Sequence, residues 1–361
     1  MRIVMFALLA LLISGCGKNS VESNGGAAES QQTFKWKLVT TWPKNYPGLG
    51  TAPENFANKV AAMSGGRLQI KVFGAGQLVP AFEVFDAVSQ GTAEMGHGAA
   101  YYWTGKSKAT GFFTSVPFGL NAQEMNGWLH YGGGLELWRE LYEPFNLVPF
   151  AGGSTGVQMA GWFNREINSM ADIKGLKMRI PGLGGDVITR AGGISVTMPG
   201  GELYTSMQTG VIDATEWVGP YNDLAFGFHQ VAKYYYYPGW HEPGPILELI
   251  VNKDALATLP ADLQAIVEGA ARAVNQDMLD EYTARNNTAL VELIDTHGVD
   301  VRKLPDDVIV ELRRLSQEVL EELSADSDIA LRIADSVKAF QKQATAYHGI
   351  SEEAYYEARK Q

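Results

Sequence analysis

The stretch Lys174–Pro220 decides the fold. It opens KGLKMRIPG (174–182) and closes VTMPGGELYTSMQTGVIDATEWVGP (196–220). KMRIP (177–181) alternates and predicts a strand running into a Pro-Gly turn. A helical run to Ala191-Gly192-Gly193 follows, then a strand at ISVTMP (194–199) and a helix through Met207. VIDATEW (211–217) is read as a further strand that stops at Glu216-Trp217. Arg179 therefore sits at one predicted strand end and Glu216, beside Trp217, at another. A cation and a carboxylate at strand ends of an α/β unit point to a small-anion site.

Upstream, FKWKLVTTW (34–42) alternates as a strand, Asn55–Ser64 reads as a helix stopped by Gly65-Gly66, and RLQIKVFG (67–74) alternates again. A helix over Ala81–Ser89 and a short strand over Glu94–Ala100 complete a β-α-β-α-β order, which predicts a parallel sheet with crossover helices. Asn121–Leu141 reads as a helix interrupted by Gly132-Gly133-Gly134, and PFNLVPFAGG (144–153) as a strand. The Gly152–Gly156 run lacks a phosphate-loop lysine and is read as a backbone turn. A second α/β unit begins at Val157, with VQMAGWFN (157–164) as its first strand. Tyr221–Ala232 is predicted helical, and YYYYPGW (234–240) and PILELIVNK (245–253) are predicted strands.

Leu259-Pro260-Ala261-Asp262 opens a helical run to about Thr296, long enough to brace both units. Two more helices start at Pro305-Asp306-Asp307 and about Asp328. Val308, Val310, Leu312, Leu315, Val319, Leu320 and Leu323 make the first of them amphipathic, which serves either packing on the second lobe or a dimer contact by an exchanged C-terminal helix. The expected fold is α/β with two hinged lobes, plus a long bracing helix and C-terminal helices. The expected division is 1–33 as signal and tether, 34–156 with about 240–282 as lobe I, and 157–239 with about 283–361 as lobe II and the C-terminal helices.

The chain has 361 residues and a net charge of -11, with 46% hydrophobic and 19% charged residues. Such an acidic chain is unsuited to nucleic acid, whose phosphates need a basic surface. Any anion site must be made locally by one or two cations or a bound metal. The single cysteine, Cys16, ends the leader MRIVMFALLALLISGC. Small residues before a lone cysteine resemble a bacterial lipoprotein signal, which implies cleavage before Cys16 and lipidation of its thiol. The other reading is an ordinary secretory signal with Cys16 incidental. Both imply export to the periplasm, with Gly17–Gln32 as a polar tether and no disulfide in the mature fold.

A guanidinium at a strand end can hold a carboxylate through two parallel hydrogen bonds. Taken alone, Arg179 is more often a surface residue paired with a neighbouring acid. Glu216, Glu242 and the amide oxygen of Gln158 would make an all-oxygen cage for a hard cation; on spacing alone, Glu242 reads as a solvated loop acid. Tyr101, Tyr102, Trp103 and Trp217 supply aromatic walls at strand ends. The six histidines show no metal-ligand spacing, and the body has no thiol nucleophile.

FKWKLVTTWP, the M-x-R-I-P-G block at Met178–Gly182 and L-Y-x-x-M-Q-T-G-x-I-D-A-x-E-W at Leu203–Trp217 resemble the solute-binding proteins of TRAP transporters over nearly the whole mature chain. The E-W ending and Tyr101-Tyr102-Trp103 resemble the branch that binds α-keto acids and related 2-oxo or 2-hydroxy monocarboxylates. The resemblance implies that Arg179 clamps the ligand carboxylate and that Tyr101, Tyr102 and Asn222 line the rest of the site. It implies that Gln158, Glu216, the main chain of Trp217 and Glu242 hold a metal ion, sodium or else calcium, which bridges to the ligand. Gln158 and Trp217 thus border both metal and ligand. The two-lobe periplasmic-binding-protein fold, TRAP membrane subunits as partners, a homodimer and no catalysis follow from the same resemblance. Met95-Gly96-His97-Gly98 departs from the small residues usual there.

The leading expectation is a solute receptor for a small carboxylate such as pyruvate. The alternatives are a metal-assisted hydrolase or lyase acting in the same cleft, and a sensor partner with the same fold. Arg179→Ala is expected to abolish carboxylate binding with little change in melting temperature.

Overall fold

A computed structural model describes residues 32–360. The leader, with Cys16, lies outside them. In chain order the first elements are β1 Phe34–Thr40, α1 Thr51–Met63, β2 Leu68–Phe73, α2 Val84–Ser89 and β3 Met95–Gly98. Then come α3 Gly111–Thr114, α4 Ala122–Tyr131, α5 Gly134–Tyr142 and β4 Leu147–Ser154. The middle is β5 Gly161–Phe163, β6 Lys177–Arg179, α6 Gly182–Arg190, β7 Ile194–Val196, α7 Leu203–Gln208, β8 Ala214–Thr215, α8 Pro220–Phe226 and β9 Tyr234–Tyr237. The chain closes with β10 Ile246–Asn252, α9 Lys253–Ala257, α10 Ala261–Asp295, β11 Asp300–Lys303, α11 Asp306–Ser324, α12 Asp328–His348 and α13 Glu352–Ala358.

The strands form two sheets. One has the order β2-β1-β3-β10-β4 and the other β11-β9-β5-β8-β6-β7. The expected parallel sheet holds for β2, β1 and β3, but β10 returns antiparallel between β3 and β4. The first sheet is therefore mixed. Periodicity reports which face of a strand is buried and not its direction, and every residue of β10 is buried. Gly152 and Gly153 lie inside β4 rather than in a turn. A Cβ at Gly153 would stand 2.5 Å from the sulfur of Met278, so glycine there lets the strand pack against α10.

In the second sheet β6 runs parallel to both β7 and β8. The strands read at 157–164 and 211–217 pair only over Gly161–Phe163 and Ala214–Thr215. The helix read at Tyr221–Ala232 stops at Phe226, because Gly227 takes a left-handed φ of 74°. β11, unread in the sequence, pairs with β9.

The 35 residues of α10 span about 52 Å. Its buried positions run Leu263, Val267, Ala270, Val274, Met278 and Tyr282, spaced three or four apart. Along its length it packs against α1 and β4, then against α8. Helix α11 lies on α6, while α12 packs against α11, α5 and α4. Among the described residues no helix is long and apolar enough to cross a membrane.

Candidate functional site

The parallel register of β6 and β8 places Arg179 opposite Thr215. Arg179 and Glu216 thus emerge side by side at the carboxyl ends of adjacent strands, where open α/β sheets gather ligands. The backbone joins them as well, through Glu216 N–H donating to the Arg179 carbonyl at 3.2 Å. Arg179 Nη1 donates to Glu216 Oε1 and, at 3.3 Å, to the Glu216 carbonyl. Its Nε donates to the Met198 carbonyl at 3.3 Å and its Nη2 to the Tyr102 hydroxyl at 3.3 Å. The guanidinium lies 5.2 Å over the Trp217 ring. Arg179 is 1% exposed and Glu216 0%, so the ion pair is fully desolvated. Burial works against the Arg179 charge, but the neighbouring Glu216 carboxylate raises its pKa above the ordinary value.

Glu242 approaches from the segment linking β9 to β10. Gly239, in the same segment, passes so close to Gln158 that a Cβ would lie 2.1 Å from the Gln158 carbonyl. That approach lets Gln158 N–H donate to the Glu242 carbonyl at 3.2 Å and Gln158 Nε2 to Glu242 Oε2 at 2.8 Å. Burial, reinforced by repulsion from Glu216, pushes the Glu242 carboxyl well above the usual carboxylate range, against the pull of Arg179. Gln158 Oε1 is buried and has no hydrogen-bond partner among the described residues. Such an orphan acceptor carries a desolvation cost unless a donor or a cation meets it.

Two buried carboxylates and one unpartnered amide oxygen make a donor set that suits a hard cation. Glu216 and Glu242 offer ligand atoms within 4.8 Å of one another, and so does His241. Sequence reading missed His241 because no second histidine stands at ligand spacing; its only local signal is adjacency to Glu242.

Tyr101 and Tyr102 follow β3 and come from the first sheet, with ring centroids 4.7 Å apart and edge to face. Burial raises both phenol pKa values, so both hydroxyls are neutral donors. Trp217 is buried edge-on against Trp42 at 6.1 Å. Asn222 is buried, and its amide is engaged on both sides: Tyr282 OH donates to Oδ1 at 2.5 Å and Nδ2 donates to the Pro47 carbonyl at 2.9 Å. His97 lies in the core, where Nδ1 accepts from Trp42 Nε1 at 2.8 Å and Nε2 donates to the Gly152 carbonyl at 3.1 Å.

Arg179, Glu216, Gln158, Glu242, Tyr101 and Trp217 therefore converge with groups from both sheets buried, and the half-buried Tyr102 joins them. Two α/β sheets thus bring an ion pair, a second carboxylate, an orphan amide oxygen and aromatic rings into one cluster, and the family match and solved relatives place this fold among extracytoplasmic solute receptors. The chain belongs to bacterial extracellular solute-binding protein family 7 (DctP), whose model matches residues 38–326.

It is 45% identical over 324 residues to a "Monocarboxylate 2-oxoacid-binding periplasmic protein" of Nostoc sp., covering 89% of this chain and 88% of that one. A TRAP periplasmic solute binding protein from Pseudoalteromonas atlantica T6c, solved with bound sodium and pyruvate, superposes with a TM-score of 0.88. The identity is 43%, over 90% of this chain and 99% of that chain. A TRAP transporter solute binding protein from Bordetella bronchiseptica RB50 superposes with a TM-score of 0.89 at 38% identity, covering 91% and 100%. It was solved as a mixed occupancy dimer with copurified calcium and picolinate. Family membership makes the chain a solute receptor and sets aside the hydrolase or lyase reading.

Proposed function

We propose that this chain captures a small 2-oxo or 2-hydroxy monocarboxylate such as pyruvate, together with a cation, and presents it to TRAP membrane subunits. The observation that carries this reading is the desolvated cluster of Arg179, Glu216, Gln158 and Glu242 with its orphan amide oxygen. Arg179 binds the ligand carboxylate, while Tyr101, Tyr102 and Asn222 line the remaining wall. Gln158, Glu216, the main chain of Trp217 and Glu242 hold the ion, which is sodium or calcium. When bound, the ion supplies positive charge to the ligand's carboxylate and 2-oxo oxygens. The relatives with sodium and pyruvate and with calcium and picolinate support this choice.

The lobes are 34–156 with about 240–282 and 157–239 with about 283–361, a division supported by the strand membership of the two sheets. Ligand contacts come from both, so ligand biases the closed form by its differential affinity. The chain works as a homodimer, for which the Bordetella dimer is the support. It is anchored in the periplasm through lipid on Cys16, supported by the leader sequence alone.

Calorimetry with pyruvate, lactate and propionate tests the reading. Pyruvate and lactate are expected to bind, and propionate, which lacks an oxygen at C2, about a hundredfold more weakly. Equal binding of all three acids, or consumption of pyruvate, contradicts it.

A further inference from the structure

His241 is held in place by its surroundings rather than by chance contact. It is 2% exposed and follows Trp240, whose ring meets it edge-on at 5.5 Å. Trp240 is itself fixed, stacked on Phe118 at 5.8 Å and accepting from Phe118 N–H at 2.8 Å. On the other side stands α6. A Cβ on Gly184 would lie 3.0 Å from the His241 Cβ, so that helix passes at the closest distance a glycine permits. The imidazole has little room to swing away.

Its Nε2 lies 3.4 Å from Glu216 Oε2. A carboxylate only accepts, so the proton of that contact belongs to Nε2. Nδ1 is buried with no partner among the described residues. A second N–H there would be buried unpaired, so the Nε2–H tautomer fits the site. Glu216 is thus gripped from two directions, by Arg179 on Oε1 and by His241 on Oε2. Each oxygen keeps a free lone pair, and the plane of the carboxylate is set by the two donors.

We propose that His241 is a positioning residue for the cation site: its Nε2–H orients Glu216 so that the free lone pairs face Gln158 Oε1 and Glu242. Groups that orient metal-binding side chains commonly set metal affinity by ten- to a hundredfold. This inference rests on the cation-assisted reading of the site, and the wild-type protein measures that reading independently of the variants.

The test is calcium titration of the purified, ligand-free protein by calorimetry and tryptophan fluorescence, with pyruvate affinity measured alongside. His241→Gln places an amide N–H near the Nε2 position but has no counterpart of Nδ1. His241→Asn is one carbon shorter and cannot reach. The expected result is calcium affinity within about threefold of wild type for H241Q and at least tenfold weaker for H241N, with matching apo melting temperatures. Equal affinity in all three proteins overturns the proposal. An equal loss in H241Q and H241N also overturns it, because it makes the ring a direct nitrogen ligand. Absence of calcium binding by the wild type instead removes the underlying reading of the site.

Discussion

Arg179 and Glu216 stand at the ends of adjacent parallel strands and pair with each other at full burial. An arginine already neutralised by its neighbour behaves differently from a free surface arginine. Removing one partner of a buried pair leaves the other charge desolvated, which costs about 3–5 kcal/mol. Arg179→Ala is therefore expected to lower the melting temperature as well as abolish binding, contrary to the sequence-based expectation of an unchanged apo-protein. The double variant R179M/E216Q is expected to recover much of that stability without recovering binding. Thermal unfolding of the three proteins checks this; an R179A protein as stable as wild type contradicts the pairing.

The local charges also bear on the choice of ion. Burial favours a proton on Glu242, which a bound cation displaces; Arg179 then contributes +1 and Glu216 and Glu242 contribute -2, so the protein groups around the ion carry -1. A divalent ion plus monoanion neutralises it, whereas a monovalent ion leaves -1 in a buried site. Calcium is expected to act at concentrations at least about a hundredfold below sodium, and Glu242→Gln to narrow that gap about tenfold. Pyruvate titrations at fixed calcium or sodium measure both.

Asn222 ties three regions together. Tyr46 OH donates to its carbonyl at 2.6 Å, the Pro47 carbonyl accepts from its Nδ2, and Tyr282 of α10 donates to its Oδ1. Asn222→Ala strands buried polar groups and is expected to cost about 1–3 kcal/mol. Tyr282→Phe removes one of these contacts and leaves the Asn222 side chain in place. If Asn222 also lines the ligand, N222A weakens pyruvate binding and Y282F does so far less. Equal affinities in both variants remove Asn222 from the binding wall.

The strands and helices around β6 and the long helix α10 were legible because their signals are local. Pro260 and Gly298 bracket α10, and KMRIP followed by Gly182 marks β6 and its turn. Arg179 and Glu216 were found because each sits at a strand end beside a turn. The unread features are non-local. Hydrogen bonds to residues far along the chain set the direction of β10, the pairing of β11 and the engagement of the Asn222 amide by Tyr282. His241 matters through Glu216, 25 residues away, and through a glycine on α6. His97 departed from the expected pattern because it fills a core position between Trp42 and Gly152.

Buried carboxylates give the stability a pH dependence. Glu248 in β10 accepts from Trp103 Nε1 and, at 2.8 Å, from Tyr142 OH, and burial raises its pKa to about 7. The folded state holds a proton there that the unfolded chain releases at about 4.3. This contribution is fully present below about pH 4.3 and is lost as pH rises through about 7. Asp223, raised by burial to about 7, acts in the same direction. His97, lowered by burial to about 4, acts oppositely, since the unfolded chain takes up its proton as pH falls below about 6.5. A glutamine at 248 can accept from Trp103 and donate to Tyr142. Glu248→Gln is therefore expected to reduce the stability lost between pH 5 and pH 8 by about 2 kcal/mol. Denaturant unfolding at the two pH values checks it, and an unchanged difference contradicts a titrating Glu248.

In the proposed function, a cation held by Gln158, Glu216 and Glu242 acts together with Arg179 on one carboxylate. Pyruvate calorimetry on protein dialysed exhaustively against chelator and sodium-free buffer tests it most directly. Weak or no binding is expected in that buffer, with recovery on adding calcium or sodium. Pyruvate affinity that is the same with and without the cation would contradict it.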